Sequence, residues 1–268
     1  MNIPSAAALQ SAVVHAVDNC GVHTLTMNRP TAFNALSSDM LAALQAALDD
    51  VARDDAARVV VLAASGKAFC AGHDLKDMRA NPDLAYYQRL FAQCTRMMLS
   101  LQNLPVPVIA KVHGLATAAG CQVVAQCDLA VAAASASFGV NGIDVGLFCA
   151  TPSVPLSRVM PAKQAMEMLM TGEFITADEA RIRGLVNRVV PADQLDAATD
   201  ALVQVLLAKP KEALAMGKAL FYRQRETGIE AAYQLAGQSM ACNMAHAVAQ
   251  EGVQAFIEKR KPQWPPAP

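Results

Sequence analysis

The segment KVHGLATAAGCQVVAQCD, Lys111 to Asp128, sets the reading of the whole chain. It is entered from an apolar run, Pro107 to Val112, that reads as a buried strand ended by Gly114. Ala116, Thr117, Ala118, Ala119 and Gly120 follow, and an apolar helical pattern continues through Val123 and Val124. Side chains this small at a helix start let a ligand approach the backbone. The first N–H groups of a helix have no partner within it, and the helix dipole there favours negative charge. The segment therefore reads either as an anion-accepting turn or as a tightly packed strand–helix corner.

A second stretch has the same organisation. Gly66-Lys67-Ala68-Phe69-Cys70-Ala71-Gly72-His73-Asp74-Leu75 leaves a β-branched strand, Arg58 to Ala64, and passes through glycines into a helix. Two such turns can aim two backbone N–H groups at one oxygen, which is the geometry of an oxyanion hole.

F-C-A-G-x-D-L, followed about forty residues later by V-x-G-x-A-x-x-x-G-C, resembles the crotonase (enoyl-CoA hydratase/isomerase) superfamily. The resemblance runs from Met27-Asn28-Arg29-Pro30 and Asn34-Ala35-Leu36 to Glu251-Gly252 and Ala255-Phe256-Ile257-Glu258-Lys259-Arg260. It implies a spiral of β-β-α turns whose C-terminal helices build trimers, often paired into hexamers. It implies an acyl-CoA ligand, with coenzyme A carried by the substrate and no separate cofactor. By the same resemblance, the backbone N–H groups of Ala71 and Ala119 hold a thioester carbonyl oxygen and stabilise the enolate formed from it. Ala71, Gly72, His73 and Asp74 match CoA-lining positions. Phe256 and Lys259 match terminal-helix positions that reach CoA, in many members from a neighbouring subunit. Lys259 equally suits an ordinary solvated face.

The departures from the family pattern bear on the reaction. Hydratases of this family carry two glutamates that activate water and move its proton. This chain has Gln122 where the first follows the Gly-Cys pair, and Gly142 where the second follows Phe138-Gly139. An amide holds water by hydrogen bonds but has no carboxylate to accept a proton near pH 7. Each acid–base group is typically worth ~10²–10⁴-fold, so an ordinary hydratase rate is not expected. Asp144 lies two positions past Gly142 and would regain the same face if the segment were strand; otherwise it serves a salt bridge or fixes a loop. His73 titrates in a useful range but can point away. Cys149 is a nucleophile only beside a base, and otherwise a small buried hydrophobe. Asn141 and Gln122 can orient a water or a polar substrate group. GLATAAGCQ and VGLFCATP resemble a divergent subgroup, the enoyl-CoA hydratase domain-containing protein 3 type, which shares these substitutions.

Composition narrows the classes. The chain has 268 residues, 54% hydrophobic and 17% charged, with a net charge of −1. It is long enough for a sizeable core, and that balance gives no support to binding nucleic acid or a membrane surface. No uninterrupted apolar run reaches the ~18 residues that would span a bilayer. The start, MNIPSAAALQSAVVHAV, has no Lys or Arg and an early Pro4, unlike a secretory or transit leader. Seven scattered cysteines without a C-x-x-C pair read as reduced thiols in a cytoplasmic protein. Five dispersed histidines predict no metal site.

The spacing predicts strands over Ala12–Val17 and Val22–Met27, joined by a turn at Asp18 to Gly21. A helix capped by Ser37 or Ser38 follows to about Arg53, with Leu41, Leu44, Leu48 and Val51 on one face. Asp83 to Gln102 reads as a long helix with Leu84, Tyr87, Leu90, Cys94, Met97 and Leu101 as its apolar stripe. Leu129 to Ala133 reads as strand and Ser137 to Cys149 as irregular. Helices are expected from Pro161 to about Met170 and from a Thr176–Glu179 capping box to Gly184, then a short strand, Leu185 to Val190. The pattern from Ala192 onward is helical.

The resulting architecture is α/β: a crotonase-type ββα core over 1–194 and a C-terminal helical region over 195–268 for trimerisation and part of the CoA site. Two functions remain open. One is a lyase or isomerase that stabilises an enolate of an acyl-CoA; the other is a non-catalytic CoA-ester-binding protein or degenerate subunit.

Overall fold

The computed structural model describes residues 11–264; residues 1–10, which carry most of the leader reading, lie outside it. The strands, in chain order, are β1 (Val13–Val17), β2 (Val22–Met27), β3 (Val59–Ala64), β4 (Ala68–Cys70), β5 (Val108–Val112), β6 (Leu115–Thr117), β7 (Leu129–Ala133), β8 (Ser137–Gly139), β9 (Ile175–Thr176) and β10 (Arg188–Val190). Six form a sheet in the order β1-β2-β3-β5-β7-β10, parallel apart from the β1–β2 hairpin. The other four form a smaller sheet, β4-β6-β8-β9. The helices are α1 (Ser38–Arg53), α2 (Leu75–Ala80), α3 (Leu84–Asn103), α4 (Ala119–Gln126), α5 (Ala150–Val159), α6 (Ala162–Thr171), α7 (Ala177–Ile182), α8 (Leu195–Leu207), α9 (Lys211–Gln224), α10 (Ile229–Ala245) and α11 (Ala247–Ile257).

The large sheet is buried on both faces, which is why β3 reads VVVLAA without a polar alternate. Val60, Leu62, Val108 and Ala110 face one core together with Leu41 and Leu44 of α1 and Leu90 and Met97 of α3. Their neighbours Val59, Val61, Ile109 and Val131 face the other side, where Leu195, Leu202 and Val203 of α8 cover them. The helical region expected from residue 195 therefore begins with a helix that belongs to the core. Beyond it, α9 is pinned by a buried cluster. Lys218 Nζ lies 2.7 Å from Asp128 Oδ2 and donates to the Leu101 and Val106 carbonyls, while Tyr222 donates to Asp128 Oδ1.

Ser37, one of the two expected cap residues, caps α1 by accepting from Met40 N–H. Several local readings differ from the structure. Leu84 does not join the α3 stripe; it is 71% exposed at the first turn, and burial begins at Leu90. Ser137 to Cys149 is not wholly irregular, for it holds β8 and a 3₁₀ turn over Asn141–Val145. Leu185 and Val186 are buried, but as the turn after α7, with the Leu185 N–H on the Ala180 carbonyl. Only Arg188–Val190 pairs as strand. Helix α5 carries Pro155 inside it, a residue that ordinarily signals a break.

Candidate active site

The two glycine turns meet where the small sheet joins α2 and α4. Strands β4 and β6 run parallel, so both chains leave the sheet at the same end. The first turn is held by Asn34, fully buried, whose Nδ2 donates to the Ser65 and Ala68 carbonyls while Oδ1 accepts from Arg29 N–H. This gives Asn34-Ala35-Leu36 a structural role: it ties the preceding loop to β4. Asp74 closes the turn as the N-cap of α2, accepting from Lys76 and Asp77 N–H, with Arg29 3.7 Å away.

Gly72 sits at φ +87°, and a Cβ on it would lie 2.9 Å from Ala118 Cβ and 3.2 Å from Ala119 N. Gly120 is equally constrained, since a Cβ there would overlap the Cys70 carbonyl oxygen. The two turns are thus packed on each other as closely as backbone allows. Ala118 takes φ +50°, ψ −119°, a conformation disfavoured for an L side chain, and its N–H is fixed on the Gly139 carbonyl. The next residue, Ala119, opens α4 with its N–H free.

The donor of the first turn is not the one expected. Ala71 N–H bonds to the Phe33 carbonyl at 3.0 Å, so it is not available to a ligand. Among the described residues, nothing accepts from the N–H of His73. Leu36 runs beside His73 as a parallel bridge, and its bonds go to Gly72 O and Asp74 N–H, which leaves the His73 N–H pointing away from that bridge. The free pair is therefore His73 and Ala119.

Both residues line a cavity of about 350 Å³. Its wall is mostly apolar, built by Leu75, Met78, Phe91, Val145, Leu147 and Phe148, with Thr117 and Asn141 as polar members. Thr117 donates to Asn141 Oδ1 at 2.7 Å, which fixes both. His73 Nδ1 lies 3.2 Å from the Leu36 carbonyl, and its ring meets Phe91 edge-on with centroids 5.2 Å apart. Burial holds this imidazole below its ordinary range.

The other expected residues are placed less centrally. Gln122 is 5% exposed on α4, with Oε1 unpartnered, and does not line the cavity. Asp144 lies on the 3₁₀ turn, not on a strand, so the same-face argument fails. Its carboxylate is exposed beside Gly172, where a Cβ would lie 3.0 Å from Oδ1. Cys149 lines the cavity as a thiol whose proton affinity is raised by burial, the opposite of an activated nucleophile. Phe256 is 85% exposed on α11, Lys259 follows that helix at φ +54°, and neither lines the cavity. Asp74 and Gly72 support the first turn without lining the cavity.

These observations agree with comparison to known proteins. The enoyl-CoA hydratase/isomerase family profile matches residues 18–266. The chain belongs to that family. It is 43% identical over 244 residues to mouse "Enoyl-CoA hydratase domain-containing protein 3, mitochondrial", covering 91% of this chain and 81% of that protein. The crystal structure of an enoyl-CoA hydratase from Mycobacterium smegmatis superposes with a TM-score of 0.93 at 62% identity, over 94% of this chain and 98% of that one. Human enoyl Coenzyme A hydratase domain-containing protein 3 superposes with a TM-score of 0.90 at 41% identity, over 94% and 100%. The fold is the crotonase fold of the enoyl-CoA hydratase/isomerase family, and an acyl-CoA ester is the family's substrate class. No three His, Cys, Asp or Glu side chains cluster as metal ligands among the described residues.

Proposed function

We propose that this protein binds an acyl-CoA thioester with its carbonyl oxygen between the N–H groups of His73 and Ala119, and stabilises the enolate that forms there. The observation that carries this reading is the pairing of two free backbone donors at two interlocked turns, beside an apolar cavity suited to an acyl chain. Such donors are worth most where charge develops; losing one typically costs on the order of 3 kcal/mol of transition-state stabilisation. Ordinary hydration is not the reaction, because Gln122 supplies no carboxylate and a side chain at position 142 has no room. Isomerisation or a related lyase step, in which a carbon–hydrogen bond next to the thioester breaks, suits the site better.

Ala119→Pro tests the hole directly, since proline is accommodated at the first position of a helix and lacks the N–H. Butyryl-CoA binding measured by calorimetry is expected in the parent and lost or strongly weakened in the folded variant, whose melting temperature falls because Ala118 at φ +50° does not suit the position before a proline. Equal affinity in both would sink the reading. A second reading, a CoA-ester-binding subunit without catalysis, draws on the same loss of both carboxylates; binding without any turnover would favour it. Trimers or hexamers are supported by the exposed apolar residues of α10 and α11, among them Ile229, Tyr233, Met240, Phe256 and Ile257. A neighbouring subunit would then bring Phe256 and Lys259 to the CoA. The free, unpaired state of all seven cysteines supports a cytoplasmic location.

A further inference from the structure

Asn141 stands in the cavity wall one residue before Gly142, in the turn that follows β8. Thr117 ends β6 beside Gly139, and this pairing brings the two side chains together. The Thr117 hydroxyl donates to Asn141 Oδ1 at 2.7 Å, its one acceptor among the described residues. That bond sets the amide. With the amide flipped, the hydroxyl hydrogen of Thr117, a residue only 7% exposed, would have no partner. Nδ2 therefore carries the hydrogens that face away from Thr117. It has no acceptor among the described residues, and it is not one of the polar atoms sealed from solvent. It opens on the cavity that Asn141 lines. Thr117 and Ala119 are two residues apart, so their Cα atoms are at most about 7.6 Å apart. The spare donor lies beside the His73 and Ala119 N–H pair, level with the first carbons of an acyl chain.

We infer that the Asn141 amide reads a ketone oxygen on the third carbon of the acyl chain, so that the site takes a 3-oxoacyl-CoA. This rests on the thioester-binding reading above and names the acyl class. An all-carbon chain would displace water from Nδ2 and leave the donor unpaired, which is costly. Oδ1 is engaged by Thr117, so the amide offers hydrogens, and a ketone oxygen only accepts them. A hydroxyl would bring a hydrogen of its own. The Thr151 hydroxyl, at the start of α5, can give or take a hydrogen and selects neither. No Lys or Arg lines the cavity among the described residues, so a carboxylate on the chain would be desolvated without a counter-charge. The ketone also fits a site whose lining holds no Asp or Glu among the described residues. A hydrogen between the two carbonyls of a 3-oxoacyl thioester is far more acidic than one beside a thioester alone. Its bond to carbon breaks, the proton leaves to solvent water, and the electron pair spreads over both oxygens. The His73 and Ala119 N–H groups hold one oxygen and Asn141 Nδ2 the other. A planar enolate sets those oxygens side by side, as neighbouring donors on one wall require.

The test is calorimetric binding of butyryl-CoA, 3-hydroxybutyryl-CoA and acetoacetyl-CoA, with ultraviolet absorbance to detect the enolate of the last. The parent is expected to bind acetoacetyl-CoA about tenfold more tightly than the other two, the yield of one good hydrogen bond. The enolate band is expected to appear on binding. Asn141→Leu is close in size and has no donor; it is expected to bind butyryl-CoA as the parent does and to lose the preference. Acetoacetyl-CoA bound no more tightly than butyryl-CoA by the parent overturns the inference and leaves thioester binding standing, whether or not the variant folds. A preference that persists in a folded Asn141→Leu removes Asn141 as the reader. Equal affinity for the hydroxy and oxo esters overturns the 3-oxo class, and a bound acetoacetyl-CoA without the enolate band overturns the enolate step. A parent that binds none of the three esters overturns the underlying functional reading itself.

Discussion

Gly142 and Cys149 are packed so closely that a Cβ on Gly142 would lie 2.8 Å from the Cys149 sulfur, and it would also overlap the Leu147 carbonyl oxygen. Position 142, where the resemblance to family hydratases places a glutamate, is thus closed by the backbone of the loop that follows it. On that reading a side chain there is excluded by the local fold as well as by the residue type.

Gly142→Glu is accordingly expected to destabilise the protein by about 1–3 kcal/mol through overpacking. Neither it nor the double variant with Gln122→Glu is expected to create a hydratase. Urea denaturation and crotonyl-CoA hydration check this; a stable double variant turning over at an ordinary hydratase rate would show that the loop reopens at little cost.

Gly120→Ala places a methyl on the Cys70 carbonyl oxygen and must push α4 away from β4. The distance between the His73 and Ala119 donors then grows. A loss of acyl-CoA affinity of at least tenfold is expected, about 1.4 kcal/mol, together with a lower melting temperature. Calorimetry on the folded variant reads it, and unchanged affinity would argue that the ligand oxygen does not sit between the two turns.

Acid should release the C-terminal segment. Glu251 accepts from Arg260 at 2.7 and 2.9 Å and from the Gln263 N–H, and these bonds depress its carboxyl from 4.5 to about 2. A depressed carboxyl contributes its stabilisation above the ordinary value, and the contribution is lost as pH falls through the folded value. Trp264, the single tryptophan, packs beside Gly252 and donates to the Ala208 carbonyl, so it reports on this contact. Its emission is expected to shift to the red between pH 4.5 and about 2. In Glu251→Gln it should be shifted already at neutral pH. Identical titrations of parent and variant would remove Glu251 as the anchor.

Much of this was legible in the chain. The buried strands β3 and β5, the α1 face of Leu41, Leu44, Leu48 and Val51, and the Thr176–Glu179 capping box are local patterns, and each formed as its residues indicated. Strands β4, β6 and β8 were not legible, because three residues are too few to show a period. They pair only because other segments bring them together. Helix α8 was legible as a helix but not as a core layer, since its apolar face does not say which surface it covers.

For the site, residue types alone placed the two glycine turns, while the expectation that Gln122 and Gly142 stand where hydratases carry glutamates came from the family resemblance. Which N–H groups are free was decided only in three dimensions. Ala71 loses its donor to Phe33, a residue from a distant loop, and His73 keeps its own because the Leu36 bridge uses the positions on either side. The availability of a backbone hydrogen depends on whether another segment's oxygen reaches it, and no local pattern of residues encodes that.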